Sequence, residues 1–266
     1  MYNTTYHRAS SVADAAAQFG NGSDAKYLAG GMTLIATMKQ RLASPSDLVD
    51  LGHIADLKGI SVNGSTVRIG AGTRHFDVAT SADLRRACKA ITDLAGMIGD
   101  PHVRHMGTIG GSVANNDPAA DYPSAVLALN ATVHTNKRSI AADDYFRGLF
   151  ETALEDGEII TAFEFSAPTK AGYAKFPNPA SRYAMTGVFV AKHGNGDVRV
   201  AVTGAGSNGV FRHSGMEAAL AANWSPDAVA SQSVDPADML SDIHGSSEYR
   251  ANLVKVMAKR AVVAAG

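Results

Sequence analysis

The stretch from Gly107 to Pro123, GTIGGSVANNDPAADYP, constrains this chain more than any other. It gathers glycines, small residues, two asparagines and two aspartates into one run. The adjacent Gly110 and Gly111 let the backbone approach a ligand closely and can turn successive N–H groups toward phosphate oxygens. An acid just beyond, Asp117 or Asp121, has the chemistry to accept a hydrogen bond from a ribose hydroxyl or an amino group. The stretch therefore reads as a nucleotide cradle. The same residues also suit a tight loop between core elements, and a glycine pair alone does not separate the two readings.

A second stretch has similar syntax. In AKYLAGGMTLIATMKQRLASP a short apolar strand (Lys26 to Ala29) meets the turn Gly30-Gly31, and a helix is expected from about Thr33 to Arg41. A helix N-terminus adds free N–H groups and partial positive charge, which can hold a pyrophosphate without a lysine or arginine. The turn is too short for a GxGxxG or P-loop pattern, so a purely structural turn stays open.

Around these stretches the chain alternates helix and strand. Ser11 and Asp14 mark the start of a first helix and Gly20 its expected stop. SDLVDL (Ser46 to Leu51) reads as a strand, and Asn63-Gly64 as the turn of a hairpin. A helical region over 76–97 leads to the central stretch. A helix, a strand (Thr132 to Asn136), a polar connection and the alternating strand Glu158 to Phe165 follow it. Ser166 to Gly172 is the best boundary, after which GVFVAK and VRVAVTGAG read as a hairpin around the GNGD turn. Helices are expected near 214–222 and 247–264, with Tyr249, Leu253, Val256 and Met257 forming a core-facing stripe in the last.

Composition narrows the function. At 266 residues, two domains are expected; 45% hydrophobic and 18% charged residues with a net charge of -1 describe a folded globular chain. That balance gives no reason to expect nucleic acid or a membrane surface, no segment is long enough to span a bilayer, and the cytoplasm is the expected compartment. The single cysteine, Cys88, excludes an internal disulfide and a four-cysteine cluster. Any redox cofactor is thus organic or sits on a partner. Cys88 reads as a small core residue. The nine histidines show no ligand spacing, His102 and His105 lack acidic or thiol companions, and no metal site is expected. No nucleophile elbow or Ser/His/Asp pattern is present.

Taken together, LAGGMTLIATMKQRLASPSDLVDL and VRHMGTIGGSVANNDPAADYPSAVLAL resemble the two flavin motifs of one family, the medium subunit of molybdenum hydroxylases. That family includes the medium subunit of aerobic carbon monoxide dehydrogenase and the flavin domain of xanthine dehydrogenase. TALEDGEIITAFEF, YAKF and SDIHGSSEYRANLVKVMAKRA are similar to its later elements, so the resemblance runs nearly end to end. It implies an α+β fold: a two-subdomain PCMH-type (VAO-like) FAD-binding domain over 1–166, divided at about 55, then a smaller C-terminal domain of antiparallel sheet plus helices over 167–266. FAD is the implied cofactor. Leu28, Ala29, Gly30, Gly31, Met32 and Thr33 would wrap its pyrophosphate, and Thr108, Ile109, Gly110, Gly111 and Ser112 would form the other half of the cradle. Asp121 would contact the adenosine part, Ile160 and Lys175 fall at matching family positions, and Tyr183 is placed to lie against the isoalloxazine ring.

The resemblance also implies partners: a large molybdenum-pterin subunit and a small iron-sulfur subunit, assembled as a dimer of heterotrimers. This chain's FAD would then pass electrons from a partner's clusters to an external acceptor, with no catalytic side chain of its own. Met32 departs from the family's usual glutamine or histidine, and Asn115 and Asn116 stand where other polar residues are frequent. Two other readings stay open at this point, a self-sufficient flavin oxidoreductase and a scaffold that has lost FAD.

Overall fold

The computed structural model describes residues 1–266. Its first unit is a small parallel sheet. β1 (Thr5–Arg8), α1 (Val12–Asn21), β2 (Ala25–Leu28), α2 (Leu34–Lys39) and β3 (Asp47–Asp50) follow in turn, with strand order β1-β3-β2. The Ser11 hydroxyl accepts the Asp14 N–H at 3.1 Å and so starts α1 where the sequence places it. The helix passes through Gly20 and stops at Gly22, whose N–H donates to Phe19 O at 3.1 Å. The expected stop at Gly20 is thus two residues early. Nothing lies within 4 Å of a Cβ added at Gly20, so no packing contact forces a turn there.

The second unit is antiparallel. β4 (Ile60–Asn63) and β5 (Thr66–Gly70) form the expected hairpin, with Gly64 at φ +61 in its turn. The helical region that follows is not continuous. It divides into α3 (His75–Thr80), α4 (Ala82–Ala87) and α5 (Lys89–Gly96), because Ser81 caps α4 through the Leu84 N–H and Cys88 adopts a non-helical backbone at φ -155, ψ 89. Cys88 is buried, and burial pushes its thiol up to about 11, which suits an inert packing residue. The chain then forms α6 (Pro101–Met106), α7 (Ile109–Asn115), α8 (Tyr122–Ala128), β6 (Thr132–Thr135), β7 (Ser139–Ala141), α9 (Ala142–Tyr145), the ribbon β8 (Phe146–Gly148) and β9 (Glu151–Thr152), and β10 (Ile160–Ser166). The sheet order is β4-β5-β10-β6-β7. The polar connection after β6 therefore contains two short pairings and a helical turn, each too brief to show a periodicity.

The third unit is a meander, β11 (Lys170–Pro177), β12 (Ala184–Lys192), β13 (Val198–Thr203) and β14 (Phe211–Arg212), backed by α10 (Ser214–Ala222), α11 (Pro226–Ala230) and α12 (Ser247–Ala265). The predicted hairpin closes with Lys192 opposite Val198. α12 lies hard against β11: a Cβ at Gly172 would meet Ala261 O at 2.0 Å, so only glycine permits this approach. In the expected stripe Leu253 and Met257 are core, whereas Tyr249 stays 43% exposed, edge-on to Phe176. The largest core joins the second and third sheets, with Phe163 from β10 and Tyr173, Phe189 and Ala201 from the meander in one cluster. No helix is long and apolar enough to cross a membrane.

Candidate cofactor site

The carboxyl ends of the parallel strands open into an elongated cleft of ≈ 1160 Å³, walled by the loop after β2, by α7 and by the Arg182-Tyr183 rim. Clefts at strand carboxyl ends are the usual ligand positions of α/β units. The two glycine stretches meet here. A Cβ on Gly30 would lie 2.2 Å from Met106 O and 2.6 Å from Gly107 Cα, so the backbones touch with no room for a side chain.

The loops differ in what they offer a ligand. None of the backbone N–H groups from Ala29 through Leu34 makes a hydrogen bond within the chain. Carbonyls within and just before the run are used instead: Leu28 O accepts from Leu51, Gly31 O from Ile35 and Thr33 O from Thr37, at 2.9 to 3.0 Å. Gly31 sits at φ +72, which turns the chain at a glycine where other residues would be strained. The loop is thus anchored by its acceptors and leaves consecutive donors along a cleft wall, an arrangement suited to phosphate oxygens.

The second loop has spent its donors. Ile109 N–H donates to Thr73 O (3.1 Å), Gly110 N–H to Ala71 O (2.8 Å) and Ser112 N–H to Thr108 O (3.0 Å). Gly111 N–H donates to Thr108 Oγ1 at 3.1 Å, which caps α7. The expected row of N–H groups at Gly110 and Gly111 is therefore held inside the fold. Gly110 is instead needed for packing, since a Cβ there would lie 2.6 Å from Ala71. What α7 presents to the cleft is a smooth wall at Gly111 and the polar side chains of Ser112 and Asn115.

Residues 2–168 match the family described as FAD binding domain in molybdopterin dehydrogenase. The chain is 34% identical to the carbon monoxide dehydrogenase medium chain of Hydrogenophaga pseudoflava, over 98% of this chain and 96% of that one. It is 35% identical to the nicotine 6-hydroxylase medium subunit of Paenarthrobacter nicotinovorans, with 98% and 96% covered. The chain belongs to the FAD-binding medium subunits of molybdenum hydroxylases. A chain of the reconstituted CO dehydrogenase from Oligotropha carboxidovorans superposes with a TM-score of 0.88 at 34% identity, covering 99% of this chain and 97% of that one. The subunit is thus an oxidoreductase component of α+β fold.

In this medium subunit all the residues singled out from sequence line the cleft except Ile109, which is packed in the core, and Lys175. Asp121 is at the cleft floor but is not a free acceptor. Its carboxylate takes the Tyr173 hydroxyl at 2.5 Å, and Lys175 Nζ lies 3.0 Å from each of its oxygens. Burial raises the Asp121 carboxyl, against the pull of the Lys175 ammonium and the Tyr173 hydroxyl. Lys175 Nζ also donates to Met97 O at 3.2 Å, so the pair ties β11 to the loop after α5. Tyr183 is 46% exposed at the rim and follows Arg182, a non-glycine residue at φ +63.

Several lining residues were not legible in the sequence. Lys26, Lys39, Lys58, Arg74 and Arg182 place positive charge around the cleft, although the chain as a whole is nearly neutral. They are scattered singly along the sequence, so no cluster signals them. His75 is buried against Tyr122 with ring centroids 5.3 Å apart; burial and Arg104 lower it to about 4, so it is a neutral imidazole. Glu158 is fully buried at the far wall. Burial would raise its carboxyl, but bonds from Arg138, the Glu155 N–H and Thr135 outweigh this and hold it at about 2. Its sequence context, EDGEII, gave no sign of that network.

Proposed function

We propose that this medium subunit passes electrons through FAD, from iron-sulfur clusters on a small partner subunit to an external acceptor, while a large molybdenum-pterin subunit oxidises the substrate. The observation that carries the reading is the run of unpaired donors from Ala29 to Leu34 along the cleft, in a chain whose one cysteine is buried. FAD, when bound, supplies the electron-carrying chemistry. The chain's own residues bind and orient it. Ala29, Gly30, Gly31, Met32 and Thr33 donate backbone N–H groups to the pyrophosphate, and Thr108, Gly110, Gly111 and Ser112 shape the opposite wall. Leu28 and Ile160 give apolar contact, and Tyr183 stands at the rim for the isoalloxazine ring. The Asp121–Lys175 pair contributes fixed buried charge beneath the site rather than a direct adenosine contact. No residue of the chain has to act as a general base.

The proposed assembly is a dimer of heterotrimers. Residues 1–166 would act as the FAD-binding domain, with subdomains divided near 55, and residues 167–266 as a C-terminal domain that closes the cleft through Arg182 and Tyr183. The test is purification of the chain together with its co-expressed partners and measurement of FAD, molybdenum and iron per complex. One FAD per chain is expected, with its visible band bleached by the oxidisable substrate only when all three subunits are present. A complex lacking FAD, or substrate oxidation by this chain without partners, overturns the proposal.

A further inference from the structure

The end of α7 and the segment that follows it carry Asn115 and Asp117 on the cleft wall, with Asn116 between them and outside the lining. Asn116 is 2% exposed and left-handed, at φ 43 and ψ 46. Asparagine tolerates that conformation better than most residues with a side chain. Its amide Nδ2 donates to Gly148 O at 2.9 Å and to Glu151 O at 2.8 Å, spending both protons on the two sides of the β8–β9 turn. Its carbonyl accepts the Phe150 N–H at 3.1 Å, and its own N–H closes α7 on Ser112 O at 3.1 Å. One residue therefore closes the cleft-lining helix by one hydrogen bond and joins it to the ribbon by three.

The other side of the segment is held by the meander. Gly204 N–H donates to Pro118 O at 2.8 Å, Ala184 N–H to Ala119 O at 3.2 Å, and Thr203 Oγ1 to Ala120 O at 2.6 Å. Two of these three bonds are backbone to backbone and do not depend on side-chain identity. On the ribbon side, by contrast, both amide bonds depend on one carboxamide. We infer that Asn116 is a positioning residue, fixing Asn115 and Asp117 against the cofactor by tying the α7–α8 segment to the β8–β9 ribbon. The inference rests on the reading that this cleft holds FAD.

Two substitutions separate its parts. Asn116→Gly keeps the left-handed backbone at no steric cost and removes both amide bonds. Asn116→Asp keeps the size, but sets a carboxylate oxygen against two carbonyl oxygens, which no side-chain proton can bridge. The full chain, purified with its partners and stripped of flavin, is titrated with FAD. Apo secondary structure and melting temperature are recorded alongside. The expected result is folded Asn116→Gly protein with FAD affinity lowered about tenfold, which corresponds to about 1.4 kcal/mol. Asn116→Asp should bind more weakly still, and the visible circular dichroism of bound flavin should change in both. A purely structural role would lower the melting temperature and leave affinity and flavin dichroism unchanged; that result overturns the inference, as does failure of both variants to fold. Wild-type protein that takes up no FAD would instead remove the underlying reading of the cleft.

Discussion

Gly30→Ala is the smallest change that tests how the two glycine loops cooperate. The new methyl would sit 2.2 Å from Met106 O, 2.6 Å from Gly107 Cα and 2.7 Å from the Met106 carbonyl carbon, all of them backbone atoms. No rotamer change can make room. Ordinary contact begins at 3.4 Å, so the loops must separate by about 1.2 Å, the difference between 3.4 and 2.2 Å. Overpacking of this kind costs about 1 to 3 kcal/mol. If that strain is relieved by moving the Ala29 to Leu34 donors, FAD affinity falls by about 5-fold to 150-fold. The assay is fluorescence titration of deflavinated protein with FAD, paired with the apo melting temperature. Gly20→Ala is the control. Its methyl meets nothing within 4 Å and lies inside α1, where alanine is favoured by about 1 kcal/mol, so stability should rise slightly and affinity stay constant. A Gly30→Ala protein that binds FAD within twofold of wild type would refute the argument that contact between the loops sets the donor positions.

Lys175→Met should destabilise the fold by about 3 to 5 kcal/mol in urea unfolding, since Asp121 would be left buried with only Tyr173 as partner. The double variant Lys175→Met with Asp121→Asn should recover part of that loss. Glu158 is held at about 2 against 4.5 unfolded, so its stabilisation is complete above 4.5 and is lost as pH falls from 4.5 toward 2. Unfolding curves at pH 7 and pH 3 should show this loss, at most roughly 2 kcal/mol between those two pH values and less where Arg138 is screened by solvent, and Glu158→Gln should flatten it. Asp121 has the opposite sign. Its raised carboxyl makes its contribution greatest at low pH and smaller as pH rises past the unfolded value of 3.8, and Asp121→Asn should remove that slope. Met32→Gln should leave FAD affinity within threefold of wild type by the same titration, because Met32 serves through its backbone N–H and its side chain is 43% exposed.

Much of this architecture was legible because it depends on local rules. Ser11 starts α1, Asn63-Gly64 turns the β4–β5 hairpin, and the GNGD turn marks the β12–β13 hairpin. Boundaries failed where one local signal outweighs another. Gly20 stays helical and the cap falls at Gly22, and the break at Cys88 comes from its own non-helical backbone between two short helices. The glycine stretches were found by residue type, and both do line the cleft. Which of their N–H groups remain free was not readable, since the partners that consume those of the second loop, Thr73 O and Ala71 O, lie far away in sequence. Charge was hidden for a similar reason. Lys26, Lys58, Arg74 and Arg182 come from four separate segments that only the fold brings together.

The two glycine motifs, alike in composition, thus differ in what they leave free toward the cleft. Gly31 at φ +72 turns a loop anchored through the Leu28, Gly31 and Thr33 carbonyls, and the donors are left for a ligand. Gly110 does the reverse: its N–H is bonded to Ala71 O, and its missing Cβ lets α7 press against the end of β5. One loop supplies partial positive charge and the other supplies the shape that holds the charge at a fixed distance. Damage to the first should weaken every interaction with phosphate, whereas damage to the second acts only through displacement. That asymmetry is why Gly30, where the loops touch, and Asn116, where α7 is tied back to the ribbon, are the two positions from which cleft geometry can be changed without removing a single donor of the Ala29 to Leu34 run.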